Sequence, residues 1–185
     1  MILKAAKVFL ISLFLAMAAN GWLASAQETP PSEYQVKAAF LYNFAKFVEW
    51  PAGTFSATNQ PIVIGIIGDN PFGPDLTNPD KYRPINGRPL VLKQISSPKD
   101  PELKRCQMVF VCRPEMKRFA EIQETLKAAS VLTISDVEHG SRSGVMINFV
   151  MEDSRVRFEI DDGAARKAGL KISSKLLNLA KKRDQ

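Results

Sequence analysis

Apolar residues along the chain form one long run near the start and shorter runs of different period after it. The long run, residues 8–19, follows Lys4 and Lys7 and precedes Ala24-Ser25-Ala26. A positive start, a short apolar core and small residues in an A-x-A arrangement are typical of a secretory signal peptide. The run is also too short for a permanent membrane helix, which needs roughly 20 apolar residues. We therefore predict cleavage after Ala26 and a periplasmic location, with an uncleaved anchor as the alternative.

The second apolar segment has the period of a helix. Ser32 and Gln35 have the spacing of a capping box, and Pro51 prevents the helix from continuing. The sequence therefore predicts a helix over residues 32–49. Its apolar side chains cover more than half of the circumference, so we expect it to be mostly buried or to offer part of its surface to a partner. The remaining positions form a predicted polar stripe: Glu33, Lys37, Asn43, Lys46 and Glu49.

Short apolar runs then alternate with helical segments. The run 62–67 has no polar alternation, which is typical of a strand covered on both faces in a parallel sheet. Asn70 and Pro71 follow it and are residue types that begin a helix. Further elements are predicted as strands at 89–95, 107–112 and 131–134 and as helices at 98–103 and 114–129.

The pattern changes in the last third of the chain. Runs 144–151 and 155–160 flank Glu152-Asp153-Ser154, which predicts an antiparallel hairpin. Two short helices are expected after it, one capped by Asp161 or Asp162 and ending near Gly169, the other running from Ser173 to about Lys181. We therefore expect a single α/β domain over residues 27–185. Its fold would be one open mixed sheet, with a parallel βαβ part and the C-terminal antiparallel hairpin, flanked by helices.

The charge of the chain does not point to nucleic acid. The formal net charge is +6, and loss of Lys4 and Lys7, the only charged residues in 1–26, lowers it to +4. The remaining charges are interspersed except at residues 181–183, which we interpret as a solvated end. We expect no nucleic-acid partner.

The two cysteines, Cys106 and Cys112, are badly placed for a disulfide with each other. If the residues between them form a strand, the two Cα atoms lie about 20 Å apart at roughly 3.3 Å per residue. A disulfide requires less than about 7 Å. We therefore expect free, largely buried thiols. The alternatives are that this segment is not a strand, or that each thiol pairs with a second chain.

Candidate catalytic residues are few. His139 is the single histidine, so a multi-histidine metal site is excluded. Arg142 occupies the position where a nucleophile elbow needs serine, and the Gly65–Gly68 turn lacks a phosphate-loop motif. We expect no cofactor, no metal and no enzyme activity, although carboxylates that converge in space would make a hydrolase.

Several segments of the chain together resemble the YfiR family of bacterial periplasmic proteins. They are YQVKAAFLYNFAKFVEWP (34–51), IVIGIIGDNPFG (62–73), INGRPLVLK (85–93), VLTISD (131–136), GVMINFVMEDSRVRFEI (144–160) and AGLKISSKLLNLAKK (168–182). They occur in order and span about residues 33–182, nearly all of the mature chain.

The resemblance implies a non-enzymatic repressor that binds the periplasmic part of an inner-membrane diguanylate cyclase. Such binding lowers cyclic di-GMP signalling and biofilm formation. It also implies a homodimer and an outer-membrane partner that can sequester the protein, and a given member of the family can serve a different sensor kinase or cyclase. Cys106 and Cys112 depart from the disulfides of redox-sensitive members.

Candidate surfaces for partner binding include two with named anchor residues. One is the aromatic end of the first helix, with Phe47, Trp50 and Phe55, and the other is the loop around His139 and Arg142. The loop 77–88 is a third candidate surface. Tryptophan, phenylalanine and arginine are the residue types that anchor interfaces. Core packing is the alternative for Phe47 and Trp50, and a solvated loop position is the alternative for Arg142.

A second function also fits the pattern. A small-ligand sensor acting on a membrane kinase or cyclase would hold its ligand at the carboxyl ends of the parallel strands, near Gly68-Asp69-Asn70.

Overall fold

The computed structural model describes residues 31–73, 76, 78, 81–138 and 144–181. The predicted signal peptide, its cleavage site, His139 and Arg142 lie outside the described residues.

Helix α1, Glu33–Phe47, begins with the predicted capping box. The Gln35 N–H donates to Ser32 Oγ (3.3 Å), and the Ser32 N–H donates to Gln35 Oε1 (2.8 Å). The predicted end at residue 49 is wrong. Strand β1, Val48–Glu49, pairs antiparallel with β8, Lys171–Ile172, because the chain near the C-terminus supplies a ladder partner that a local pattern does not reveal.

A six-stranded sheet forms the centre of the fold, which confirms the predicted mixed architecture. Its strands are β2 (Ile62–Ile67), β3 (Leu90–Ile95), β4 (Met108–Val111), β5 (Leu132–Ser135), β6 (Ile147–Glu152) and β7 (Arg155–Ile160). Their order is β3-β2-β4-β5-β6-β7. All neighbours are parallel except β6 and β7, which form the predicted hairpin.

The helical connections are shorter than predicted. The segment expected as a helix at 98–103 is a 3-10 helix, Pro101–Arg105, capped by Asp100. The long helix expected at 114–129 is instead a 3-10 helix, Arg113–Arg118, followed by α2, Phe119–Thr125. A left-handed backbone at Ala128 (φ 62°) then ends the helical segment before residue 129.

The C-terminal helices are also short. Helix α3, Asp162–Lys167, is capped by Asp161 as predicted. Helix α4 begins after the predicted cap Ser173 but spans only Ser174–Leu177. It does not continue to Lys181, because the Lys181 N–H donates to the Phe158 carbonyl (2.8 Å) and returns the chain to the sheet edge.

Apolar side chains cover both faces of the sheet. Every residue of β4 and β5 is buried, and all of β2 except Val63 is buried, as predicted for parallel strands between two layers. On the α1 face, four rings from α1, β6 and β7 pack together: Phe40, Phe44, Phe149 and Phe158. The opposite face is covered mainly by the 3-10 helices and α2, with Leu103, Phe119 and Ile122 among its buried side chains.

The tip of the β6–β7 hairpin has a strained backbone that substitution should relieve. Asp153 and Ser154 have φ values of 47° and 59°. Both lie in the left-handed region, which a non-glycine residue enters at a cost of roughly 1–2 kcal/mol. We expect Ser154→Gly to raise the free energy of unfolding by about 0.5–1 kcal/mol in urea denaturation. Ser154→Ala is the control, since it keeps the Cβ; a glycine variant no more stable than the alanine variant would contradict the argument.

Candidate functional site

A buried ion pair connects α1 to the end of β5. Lys37 is 1% exposed and Asp136 is 3% exposed, and Lys37 Nζ lies 2.5 Å from Asp136 Oδ2. Glu33, one turn earlier on α1, places Oε1 2.5 Å from the same ammonium. The helical position of Lys37 predicted that it lies in a polar stripe. It is buried instead, because it pairs with Asp136, which lies 99 residues further along the chain.

Two more side chains complete the surroundings of Asp136. The Tyr34 hydroxyl donates to Asp136 Oδ2 (2.8 Å), and burial together with this hydrogen bond raises the pKa of Tyr34 above its ordinary value. Arg113 Nε donates to the Asp136 carbonyl oxygen (2.9 Å) and lies 3.5 Å from Oδ1. Asp136 thus connects the start of α1 and Arg113, two residues after β4, in one network.

A cleft of about 380 Å³ opens beside this network, at the carboxyl ends of β2, β4 and β5. Most of its lining comes from β4 and from the segments that follow β2 and β4, and the rest comes from α1 and the end of β5. The lining residues are, in chain order, Tyr34, Gly68, Asp69, Pro71, Phe110, Cys112, Arg113, Pro114, Glu115 and Asp136. The cleft lies where the sequence places the pocket of a ligand sensor, beside Gly68 and Asp69.

Both cysteines are free and buried, as predicted. The Cys106 thiol lies 3.4 Å from the Glu102 carbonyl oxygen, and the Cys112 thiol lies 3.2 Å from the Asp69 carbonyl oxygen. Cys112 also explains Gly68, whose φ is +96°: a Cβ at that position would stand 2.8 Å from the Cys112 Cβ. The cysteine side chains therefore act as core packing.

Burial should make both thiols unreactive in the folded protein. It raises the pKa of Cys106 and of Cys112 to about 11. At pH 8 roughly 0.1% of each thiol is then ionised, and the thiolate is the nucleophile. We expect iodoacetamide at pH 8 to modify neither cysteine in the native protein and both in urea, measured by mass spectrometry. Native modification at the denatured rate would contradict this placement.

An aromatic cluster lies at the opposite, amino-terminal edge of the parallel strands. Trp50 Nε1 donates to the carbonyl oxygen of Gln107, the residue just before β4 (3.1 Å). The Trp50 and Phe55 rings meet edge to face with centroids 6.2 Å apart. The Arg88 guanidinium lies over the Phe55 ring, 3.9 Å from its centroid. We call Trp50, Phe55 and Arg88 the aromatic cluster.

The structure brings together two of the five residues predicted to bind a partner, Trp50 and Phe55. Both are half-buried. Phe47 is also half-buried and packs against the core of the α1 face, with Lys46 Nζ 5.7 Å from its ring centroid. Arg88 was not named as a candidate from the sequence, although it is the last residue of the candidate loop 77–88. It donates to the Ala57 and Gln60 carbonyls and thereby closes the cluster.

Across the described ranges, no group of three or more His, Cys, Asp or Glu side chains could hold a metal ion. Among these residues, no helix is both long enough and apolar enough to cross a bilayer.

Comparison with known proteins places the chain in a family. No curated protein matches it. A solved structure of a conserved domain protein from Vibrio cholerae O1 biovar El Tor has a similar fold, with a TM-score of 0.53 and 10% identity. The match covers 84% of this chain and 62% of the Vibrio protein, so this chain spans less than two thirds of the length of the Vibrio protein. The model of the YfiR/HmsC-like family matches residues 34–181. Since that match covers most of the chain, the protein belongs to the YfiR/HmsC-like family.

Proposed function

We propose that the protein is a non-enzymatic repressor that binds the periplasmic part of an inner-membrane diguanylate cyclase. Repression would lower cyclic di-GMP and biofilm formation. The observation that carries the proposal is the family match over residues 34–181, because this family comprises periplasmic regulators of diguanylate cyclase signalling.

Export across the inner membrane brings the protein to its proposed partner. Residues 1–26 direct export, cleavage follows Ala26, and the mature protein acts in the periplasm. Because the cyclase makes its product on the cytoplasmic side, the effect must pass through the membrane protein. A repressor of this kind needs a surface whose affinity differs between two states of its target, and it needs no catalytic group.

We assign the contact with the cyclase to the aromatic cluster and to Phe47. Aromatic and arginine side chains contribute most to interface energies when they are held rigidly. Here Arg88 is fixed by two carbonyl oxygens at 2.7 and 3.0 Å, and Phe55 lies between it and Trp50. The loop that contains His139 and Arg142 is a second proposed contact. We further propose that the protein is a homodimer and that an outer-membrane partner can sequester it.

Substitution in the aromatic cluster tests this assignment. We expect Phe55→Ala to weaken binding to the periplasmic domain of the cyclase by about tenfold or more, since anchors of this type contribute roughly 2 kcal/mol. The measurement is biolayer interferometry with immobilised cyclase domain, and thermal denaturation checks that the variant is folded. Met151→Ala is the control, because Met151 is 50% exposed and lies towards the carboxyl end of β6, at the opposite edge of the sheet from the cluster.

Two results count against the proposal in different ways. Unchanged affinity of a folded Phe55→Ala variant would remove the aromatic cluster from the interface and leave the function standing. Recovery of no cyclase and no sensor protein in a pull-down from membranes would contradict the function itself.

A further inference from the structure

The order of the parallel strands singles out one position in the sheet. The chain passes from β2 to β3 on one side and then returns to β4 on the other side of β2. The connections therefore leave β2 and β4 in opposite directions, and a crevice opens between their carboxyl ends. In open α/β sheets, ligands bind at such a switch point. The 380 Å³ cleft lies at this place, between the segments that follow β2 and β4.

The cleft has the size and the apolar lining of a small-molecule site. Ligand pockets in proteins generally measure about 300–1,000 Å³ and are mostly apolar with a few fixed polar groups. Here Tyr34, Pro71 and Pro114 supply apolar surface. Tyr34 is held in place by its hydrogen bond to Asp136, so this wall is already formed.

Arg113 is the fixed cationic group of the cleft. Its Nε donates to the Asp136 carbonyl oxygen, which orients the guanidinium plane. The side chain is 53% exposed, and within the described ranges its terminal nitrogens have no hydrogen-bond partner. A guanidinium held in this way presents parallel N–H donors that match a carboxylate.

Two carboxylates on the rim limit the charge of the ligand. Glu115 is paired with Arg118 at 3.6 Å. Asp69 is exposed and forms no ion pair with any residue that the structure describes. An unpaired carboxylate that lines the same cleft as the guanidinium opposes a multiply charged anion such as phosphate more than a singly charged one.

We infer that this cleft is a binding site for a small organic monocarboxylate with an apolar body. The carboxylate pairs with the Arg113 guanidinium, and the apolar part lies against Tyr34 and the two prolines. The site is at the opposite edge of the sheet from the aromatic cluster, so it is distinct from the cyclase contact proposed there.

A titration with matched probes tests this inference. Sodium phenylacetate is added to the purified ¹⁵N-labelled protein and amide shifts are followed by NMR. Phenylacetamide, phenethylamine and inorganic phosphate are titrated in parallel as the neutral, cationic and multiply charged counterparts. We expect phenylacetate to bind at least tenfold more tightly than the other three, with shifts concentrated at Gly68, Asp69 and Arg113.

Two variants separate the guanidinium from the rest of the cleft. Arg113→Gln should weaken phenylacetate binding by about tenfold or more, whereas Arg105→Gln, which removes an exposed arginine outside the cleft, should not. Asp69→Asn should tighten binding by up to about fivefold, and it changes an exposed side chain, so folding is not at risk. No phenylacetate binding at 10 mM, equal binding of phenylacetamide, tighter binding of phenethylamine or phosphate, or weaker binding by Asp69→Asn would each overturn the inference.

Discussion

Replacing Lys37 with methionine is expected to destabilise the protein by about 3–5 kcal/mol, although it replaces a charged side chain of a mostly apolar helix with an apolar one. Asp136 is 3% exposed and has Lys37 as its closest cation, at 2.5 Å. Loss of the ammonium leaves a carboxylate in the interior with Tyr34 and the more distant Arg113, and a buried charge deprived of its partner is costly. The free energy of unfolding from urea denaturation measures the effect.

A double variant shows that the unpaired charge causes the loss. Lys37→Met combined with Asp136→Asn removes both charges and keeps an acceptor for the Tyr34 hydroxyl, so we expect it to recover most of the stability. Lys46→Met is the matched control, since Lys46 is an exposed lysine on the same helix and should change stability by about 0.5 kcal/mol or less. If Lys37→Met alone is as stable as Lys46→Met, the Lys37–Asp136 pair contributes nothing to stability.

Truncation of Phe44 is the second large effect. Phe44 is fully buried, and its ring packs against Phe158 and Phe149 with centroids 5.1 and 5.6 Å apart. These contacts join α1 to the β6–β7 hairpin. We expect Phe44→Ala to lower the free energy of unfolding by about 3–5 kcal/mol, because the lost apolar transfer and the cavity left behind both destabilise.

The control for Phe44 keeps most of its volume. Phe44→Leu should cost less than the alanine variant, since a leucine fills much of the same space. Phe47→Ala, in the same helix but half-buried, should also cost less. A loss below about 1 kcal/mol for Phe44→Ala would mean that the core closes around the gap or that α1 does not pack on this face as described.

Local chemistry was sufficient to predict much of the fold. The capping box at Ser32, the Asp161 and Ser173 caps, the hairpin and the apolar strands all depend on neighbours within a few residues, and each is found in the structure. The length of the helical segments was predicted less well. Periodicity alone does not distinguish a 3-10 helix from an α-helix in the segment that follows Pro114, nor does it show that Lys181 returns to the sheet.

Contacts distant in sequence account for most of what was missed at the sites. Helical position placed Lys37 in a polar stripe, but the carboxylate that pairs with it in the interior lies 99 residues away in sequence. Arg88 and Arg113 gain their positions from carbonyl groups supplied by other segments. By contrast, the location of the cleft beside Gly68 and Asp69 follows from the rule that ligands bind at the carboxyl ends of parallel strands, and the apolar run 62–67 that ends there was readable from the sequence.

The concentration of cyclic di-GMP inside the source bacterium tests the central claim most directly. Deletion of the gene should raise it, and the full-length chain should restore the original level, whereas a chain lacking residues 2–26 should not, because it cannot reach the periplasm. Cyclic di-GMP would be quantified by mass spectrometry of cell extracts. An unchanged level after deletion, or full restoration by the chain without residues 2–26, would contradict a periplasmic repressor of a membrane diguanylate cyclase.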